Sequence, residues 1–265
     1  MRIIFIGGGN MAEAIFSKLT NHEIIVIQRN LQKIEKLKIL YPQINFLSEL
    51  NFDTNFDDLV FIAIKPQDAK DSCDNIKKYV MHSTIISVMA GINCATLERW
   101  LGNKKICRAM PNTPAQLGLG ATAVYFTQTA DKKAEILNIF AKLGSVYSFN
   151  NENEIDQMTA IASSSIAYVH YFIEALIQSA VDQFKFAPEL AKDITLQVIK
   201  GSIALIEQNP DISIEQLRHN VTSKKGTTEQ AINVFEQYNL KKIIHDAELA
   251  CYTRAKELSA LFANN

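Results

Sequence analysis

The chain has 265 residues, 48% of them hydrophobic and 21% charged, enough to bury a sizeable core and to form two domains of ordinary globular composition. Its 27 lysines and arginines nearly balance 28 aspartates and glutamates, so no whole-molecule field favours nucleic acid or an anionic membrane, and neither is expected as a partner. Four cysteines, Cys73, Cys94, Cys107 and Cys251, lie far apart with no CxxC or Cys/His cluster, which speaks for reduced thiols and against a disulfide scaffold or a metal site.

The opening MRIIFIGGG turns into glycines after a short apolar run, too short for a signal sequence or a membrane span, so a cytoplasmic protein is expected. From there short apolar runs alternate with helical patterns. Strands are expected at Ile3–Ile6, Ile24–Ile27, Leu59–Ile64, Thr84–Val88 and Ile106–Met110, with helices over Met11–Leu19, Leu31–Leu40 and Asp68–Val80. Runs of Ile and Val without polar alternation suit a parallel sheet covered on both faces, the doubly wound α/β pattern.

Gly7-Gly8-Gly9-Asn10-Met11-Ala12 fits G-x-G-x-x-A directly after the first strand and before the first helix. Gly7 and Gly9 permit a tight turn and close backbone approach, and the helix start through Asn10, Met11 and Ala12 offers amide donors to a pyrophosphate. The second strand runs into Gln28, Arg29 and Asn30, where an NAD site usually carries an acidic group for the ribose 2′-hydroxyl. Arg29, with Lys33 one helical turn on, would instead pair with a 2′-phosphate, and the expected cofactor is NADP(H). The competing reading of both residues is ordinary solvated surface charge.

The strands are expected to stop near Asn150, with the run NNENE (Asn150 to Glu154) as the junction between a dinucleotide-binding domain, 1–151, and a helical domain, 152–265. Apolar residues then recur in three- and four-residue steps from Met158 to Phe184. Such a helix is longer than a domain of this size covers by itself, so it reads as a core helix or as a subunit interface. Further helices are expected around Pro188–Gln208, Thr228–Tyr238 and Lys241–Phe262. Late in the chain, Asn220 to Phe235 combines a polar turn holding Lys224 and Lys225 with an amphipathic helix. Thr227, three residues before Gln230, reads as the capping residue of that helix.

Three stretches together resemble pyrroline-5-carboxylate reductases: Ala63-Ile64-Lys65-Pro66-Gln67, Arg108 to Ala115 (RAMPNTPA), and Leu217 to Thr228 with its V-T-S-x-x-G-T-T pattern. The likeness spans nearly the whole chain, in the family's order. It implies hydride transfer from NADPH to the imine carbon of 1-pyrroline-5-carboxylate, giving L-proline, and a homodimer or larger assembly built through C-terminal helices. It also implies a substrate site at Ser223, Lys224, Lys225, Gly226, Thr227 and Thr228, with the carboxylate on backbone amides and the ring nitrogen near Thr228. By the same likeness Glu154 lies near the substrate, Asn220 touches the cofactor, and Ala63, Ile64, Lys65, Pro66, Ala90 and Pro111 line the nicotinamide pocket. A free helix N-terminus suits a carboxylate on physical grounds as well.

Two departures touch the substrate side. Lys224-Lys225 stand where the family has Pro-Gly, removing a rigid residue and the one that most easily takes a positive φ. Ser163-Ser164-Ser165-Ile166-Ala167-Tyr168 stand where it has Gly-Ser-Gly-Pro-Ala-Tyr, so residues that continue a helix comfortably replace those that would break or kink it. Other readings are an NADP-dependent reductase of another cyclic imine, a hydroxyacid dehydrogenase of similar build, or a non-catalytic dinucleotide-binding regulatory protein. The absence of lysine from Glu154 to Phe184 counts against the dehydrogenase, which generally uses an interdomain lysine.

Overall fold

The computed structural model describes residues 1–263 and contains two compact units. One comprises Met1–Ser164 together with the chain from Ala250 onward, the other Ser165–Leu249.

The first unit is a sheet of eight strands between helices. In chain order these are β1 (Arg2–Ile6), α1 (Asn10–Phe16), β2 (Glu23–Ile27), α2 (Leu31–Leu40), β3 (Asn45–Leu47), β4 (Leu59–Ile62), α3 (Ala69–Ile76) and β5 (Thr84–Ser87). There follow α4 (Cys94–Leu101), β6 (Ile106–Met110), β7 (Gly120–Phe126), α5 (Lys133–Ala141), β8 (Gly144–Phe149) and α6 (Asn153–Met158). The strand order is β3-β2-β1-β4-β5-β6-β7-β8. From β3 to β6 every pairing is parallel.

The sheet departs from the expected all-parallel one at β7, which pairs antiparallel with β6, while β8 pairs parallel with β7. Neither β7 nor β8 was expected, nor the three-residue β3. One apolar cluster lies on each face, the first around Phe5, Phe16 and Phe61, the second around Ile4, Ile62 and Trp100. That two-sided burial is why β1 and β4 read as unbroken apolar runs.

Beyond α6 the chain stays helical through Phe184, but not uniformly. Thr159–Ser164 is a π-helical segment between α6 and α7 (Ser165–Phe184). The irregularity sits just ahead of and within the triple serine, where the helix-continuing residues gave no reason for a break. Inserting one residue per turn frees carbonyls from the α ladder, and the Asn112 side-chain amide donates to one of them, the Ala162 carbonyl, at 3.0 Å. A tertiary contact, then, offsets what the local sequence does not favour.

The second unit holds α7, α8 (Pro188–Glu207), α9 (Ile214–Asn220), α10 (Thr227–Gln237) and the first turns of α11 (Leu240–Ala263). Within one chain it has almost no interior, since Ala191 and Thr195 are its only buried positions. Val169, Tyr171, Phe172, Leu196, Val198 and Leu205 are among its exposed large apolar side chains. By length and composition Asn153–Phe184 is also apolar enough to cross a membrane.

Candidate active site

The chain leaves β1 toward β2 and β3 on one side, then returns beside β1 as β4, so the carboxyl ends of β1 and β4 face the crevice where the sheet order reverses. Open α/β sheets bind ligands in such a crevice. Gly7 stands in it with φ 100°, a conformation that side chains resist. A Cβ on Gly7 would fall 2.5 Å from the Ala63 carbonyl oxygen, which follows β4. Only glycine lets the two turns close on each other. The Gly9 carbonyl accepts the first bond of α1 from Glu13 at 2.9 Å, so the amides of Asn10, Met11 and Ala12 have no partner within the helix. Ala12 itself is fully buried and lets α1 pack close to the sheet.

A cleft of about 940 Å³ opens from this crevice, and Gly7, Gly9, Arg29, Asn30, Ala63, Ile64 and Lys65 line it. Asn30 caps α2 by accepting from the Lys33 amide at 3.0 Å. Arg29 is exposed, and its Nη2 donates to Ser72 Oγ at 3.2 Å. Pro66 opens a 3-10 turn before α3, Ala90 is exposed just past β5, and Pro111 is buried just past β6. The cleft has a wall that sequence reasoning missed: Ser72, Asn75 and Lys78 from α3 and its end. The available signal was one polar residue, Ser72, on the buried stripe Ala69, Cys73, Ile76 of that helix.

The substrate-type loop is built within the second unit. Asn220 is not part of the polar turn but the last residue of α9, its Oδ1 accepting from Gln216 Nε2 at 2.9 Å. Thr222 Oγ1 returns to the Arg218 carbonyl at 2.7 Å and ties the loop to the helix before it. Gly226 N then donates to the Ser223 carbonyl at 2.9 Å. In that four-residue turn positive φ falls on Lys225 alone, at 60°. This is the pattern in which proline is favoured second and glycine third. Lys224 and Lys225 occupy those two places and the turn forms all the same.

The expected cap is corrected. Gly226, with extended backbone, is the capping residue of α10, and Thr227 is already its first helical residue. Glycine suits this place, since a Cβ at 226 would lie 2.2 Å from Ser223 Oγ and 2.9 Å from the Ser223 carbonyl oxygen. Glu229 rather than Gln230 reaches back, its Oε2 accepting from the Lys225 amide at 2.7 Å. Thr227 and Thr228 are exposed at the open end of the helix. In the first unit, Glu154 accepts from the Asn151 amide at 3.2 Å across the turn that starts α6.

RAMPNTPA has a structural role as well. Arg108 is buried in β6, with Nη2 2.6 Å from Asp156 Oδ1 and Nη1 3.3 Å from Glu152 Oε1. Asn112 holds the π segment on one side and accepts the Ala121 amide on the other. None of these three acidic or amide partners was anticipated.

A glycine crevice at the carboxyl ends of β1 and β4, with Arg29 on the cleft that opens from it, defines a dinucleotide-binding protein, to which a helical unit is attached. Comparison with known proteins narrows the class. Residues 152–258 match the family model for pyrroline-5-carboxylate reductase dimerisation, and residues 2–91 match that for NADP oxidoreductase, coenzyme F420-dependent. The pyrroline-5-carboxylate reductase of Vibrio alginolyticus is 32% identical over 98% of both chains. Among solved structures, a pyrroline-5-carboxylate reductase from Coxiella burnetii superposes with a TM-score of 0.84 at 34% identity, over 97% of this chain and 98% of that one. The Plasmodium falciparum pyrroline carboxylate reductase with NADP bound gives a TM-score of 0.84 at 26% identity, over 98% of each. The chain belongs to the pyrroline-5-carboxylate reductase family.

Proposed function

We propose that the protein reduces 1-pyrroline-5-carboxylate to L-proline, the last step of proline biosynthesis, with NADP(H) as cofactor. The observation that carries this reading is the Ser223–Gly226 turn leading into the open N-terminal amides of α10, where the family likeness puts the substrate.

The residues fit the cofactor. The Gly7–Ala63 approach brings two backbone turns together at the cleft, the start of α1 offers amides to phosphate, and Arg29 offers a cation to a 2′-phosphate. When bound, NADPH supplies a hydride to the imine carbon, and a proton taken up at the ring nitrogen completes the amine. Ala63 to Pro66, Ala90 and Pro111 would border the nicotinamide, and Asn220 and Glu154 would lie toward cofactor and substrate. The helix amides of Thr227, Thr228 and Glu229 would take the substrate carboxylate, while the Thr228 hydroxyl would hydrogen-bond the nitrogen as it becomes an amine.

The protein is a homo-oligomer with a small-molecule substrate. We read the exposed apolar faces of α7 and α8 as subunit contacts in a dimer at least, in keeping with the dimerisation model over 152–258, and not as lipid contacts. Four free thiols fit a cytoplasmic setting. An NADPH-oxidation assay with 1-pyrroline-5-carboxylate tests the reading. NADPH binding without any turnover of that substrate would sink the reductase and favour the regulatory alternative.

A further inference from the structure

Arg29 is exposed, yet it is not left to solvent. Its Nη2 donates to Ser72 Oγ at 3.2 Å, and Ser72 is only 5% exposed, on the buried face of α3 beside Ala69 and Cys73. No carboxylate forms an ion pair with Arg29 among the described residues, although Glu49 and Asp68 line the same cleft. The anchor of this guanidinium is therefore neutral. A carboxylate in its place would fix the side chain but cancel its charge. A hydroxyl fixes it through one of five N–H donors and leaves the charge and the other donors for a ligand.

We infer that Ser72 is a positioning residue for cofactor selection: it holds the Arg29 guanidinium over the cleft in advance, so that a 2′-phosphate meets a preset cation. This rests on the reading that Arg29 receives the 2′-phosphate. Long side chains lose rotamer freedom when they bind, and an arginine already held has less to lose. The benefit falls only on a ligand that carries the phosphate, so Ser72 acts on NADPH and not on NADH. Lys65 and Lys78 on the same cleft balance Glu49 and Asp68 in charge, so Arg29 leaves the lining net positive toward a phosphate.

The test is the dissociation constant of NADPH and of NADH, measured by titration of nucleotide fluorescence on the full-length protein, for Ser72→Ala, Arg29→Ala and the double variant. Ser72→Ala weakens NADPH about threefold to tenfold, the range for one hydrogen bond, and leaves NADH within about twofold. Arg29→Ala weakens NADPH more, and adding Ser72→Ala to it changes nothing further, because a positioning residue has no effect once its client is gone. Ser72→Cys, close in shape and a weak acceptor, shifts NADPH in the same direction and keeps the question answerable should the alanine variant not fold. Equal weakening of both nucleotides, or additive losses in the double variant, would overturn the inference and leave the Arg29 reading intact. No change in NADPH binding for Arg29→Ala would overturn both.

Discussion

Arg108 of β6 and Asp156 of α6 form a 2.6 Å ion pair in which neither side chain is more than 7% exposed. Glu152 shares the same guanidinium at 3.3 Å and also accepts the Cys94 amide at 2.7 Å. One cation thus ties together β6, the start of α4 and the helix that leads out of the sheet. Asn112, four residues along, continues the same attachment to the π segment.

Breaking a buried pair from one side leaves a charge without compensation, which costs about 3–5 kcal/mol. Glu152 remains in Asp156→Ala, so the expected loss is near the lower end. Chemical denaturation at fixed protein concentration measures it, since association adds to apparent stability. A loss under about 1 kcal/mol would mean that the pair is not what fixes α6 to the sheet.

The parts of the fold legible in the sequence are those where burial is two-sided. β1, β2 and β4 lie well inside the sheet and carry runs of four buried apolar residues that announce themselves, and β5 and β6 keep shorter ones beside buried Thr84, Ser87 and Arg108. β8 sits at the edge with alternating exposure, and its sequence GSVYSF mixes serine and tyrosine with a single valine. β7 is rich in glycine, alanine and threonine, and nothing local records that it runs against β6. The site divides in the same way. The glycine turn and Arg29 carry their chemistry in the residue types, whereas Ser72 gains its place from a helix distant in sequence. The helix cap falls on Gly226 and not on Thr227, and the close approach of Ser223 to position 226 is a tertiary detail that no residue pattern records.

The lysine pair in the loop costs stability. Left-handed backbone at a residue with a Cβ costs about 1–2 kcal/mol, and Lys225 adopts it. Lys225→Gly relieves that strain, partly offset by a freer unfolded chain, and Lys224→Pro adds about 0.4–1 kcal/mol by stiffening it. The paired variant is expected to be more stable by about 1 kcal/mol. A lower melting temperature for it would show that the two ammonium groups make contacts that outweigh the backbone.

Thiol chemistry separates the four cysteines. Burial pushes the Cys73 thiol up to about 12, with the Asp74 carboxylate adding to the shift. Burial raises Cys94 and Cys107 as well, Glu152 reinforcing the effect at Cys94. The thiolate is the reactive form, so near neutral pH these three stay inert, while Cys251 is half-buried. Alkylation of the native protein, read by mass spectrometry, should modify at most Cys251. Modification of Cys73 at a comparable rate would contradict the burial.

The second unit makes a sharper demand on assembly. With only Ala191 and Thr195 buried, its helices expose Phe172 at 44% and Tyr171 at 74%. Apolar surface of that extent is normally covered. Light scattering at micromolar concentration should find a dimer or larger, and Phe172→Glu with Val169→Glu should shift it toward monomer. A wild-type monomer would mean that these faces are covered in some other way.

Thr227 and Thr228 are chemically alike and adjacent, yet they are expected to differ. Gly226 is the cap, so the Thr227 hydroxyl is not needed to start α10. Thr227→Ala should therefore cost well under the 1 kcal/mol typical of a lost cap. Glu229→Ala should cost more, because it leaves the Lys225 amide unpaired and removes a carboxylate from the positive end of the helix. Thr228→Ala tests the role proposed for that residue in the reaction. If its hydroxyl bonds the nitrogen most strongly as the imine is reduced, its loss lowers kcat for 1-pyrroline-5-carboxylate, by about tenfold to a hundredfold for one such contact. On the same proposal NADPH affinity should hardly change, since the Thr228 hydroxyl would bond the substrate and not the cofactor. Steady-state kinetics over both substrates distinguishes the three variants. Wild-type kcat for Thr228→Ala would remove Thr228 from the mechanism, and a large stability loss for Thr227→Ala would return the cap to that residue.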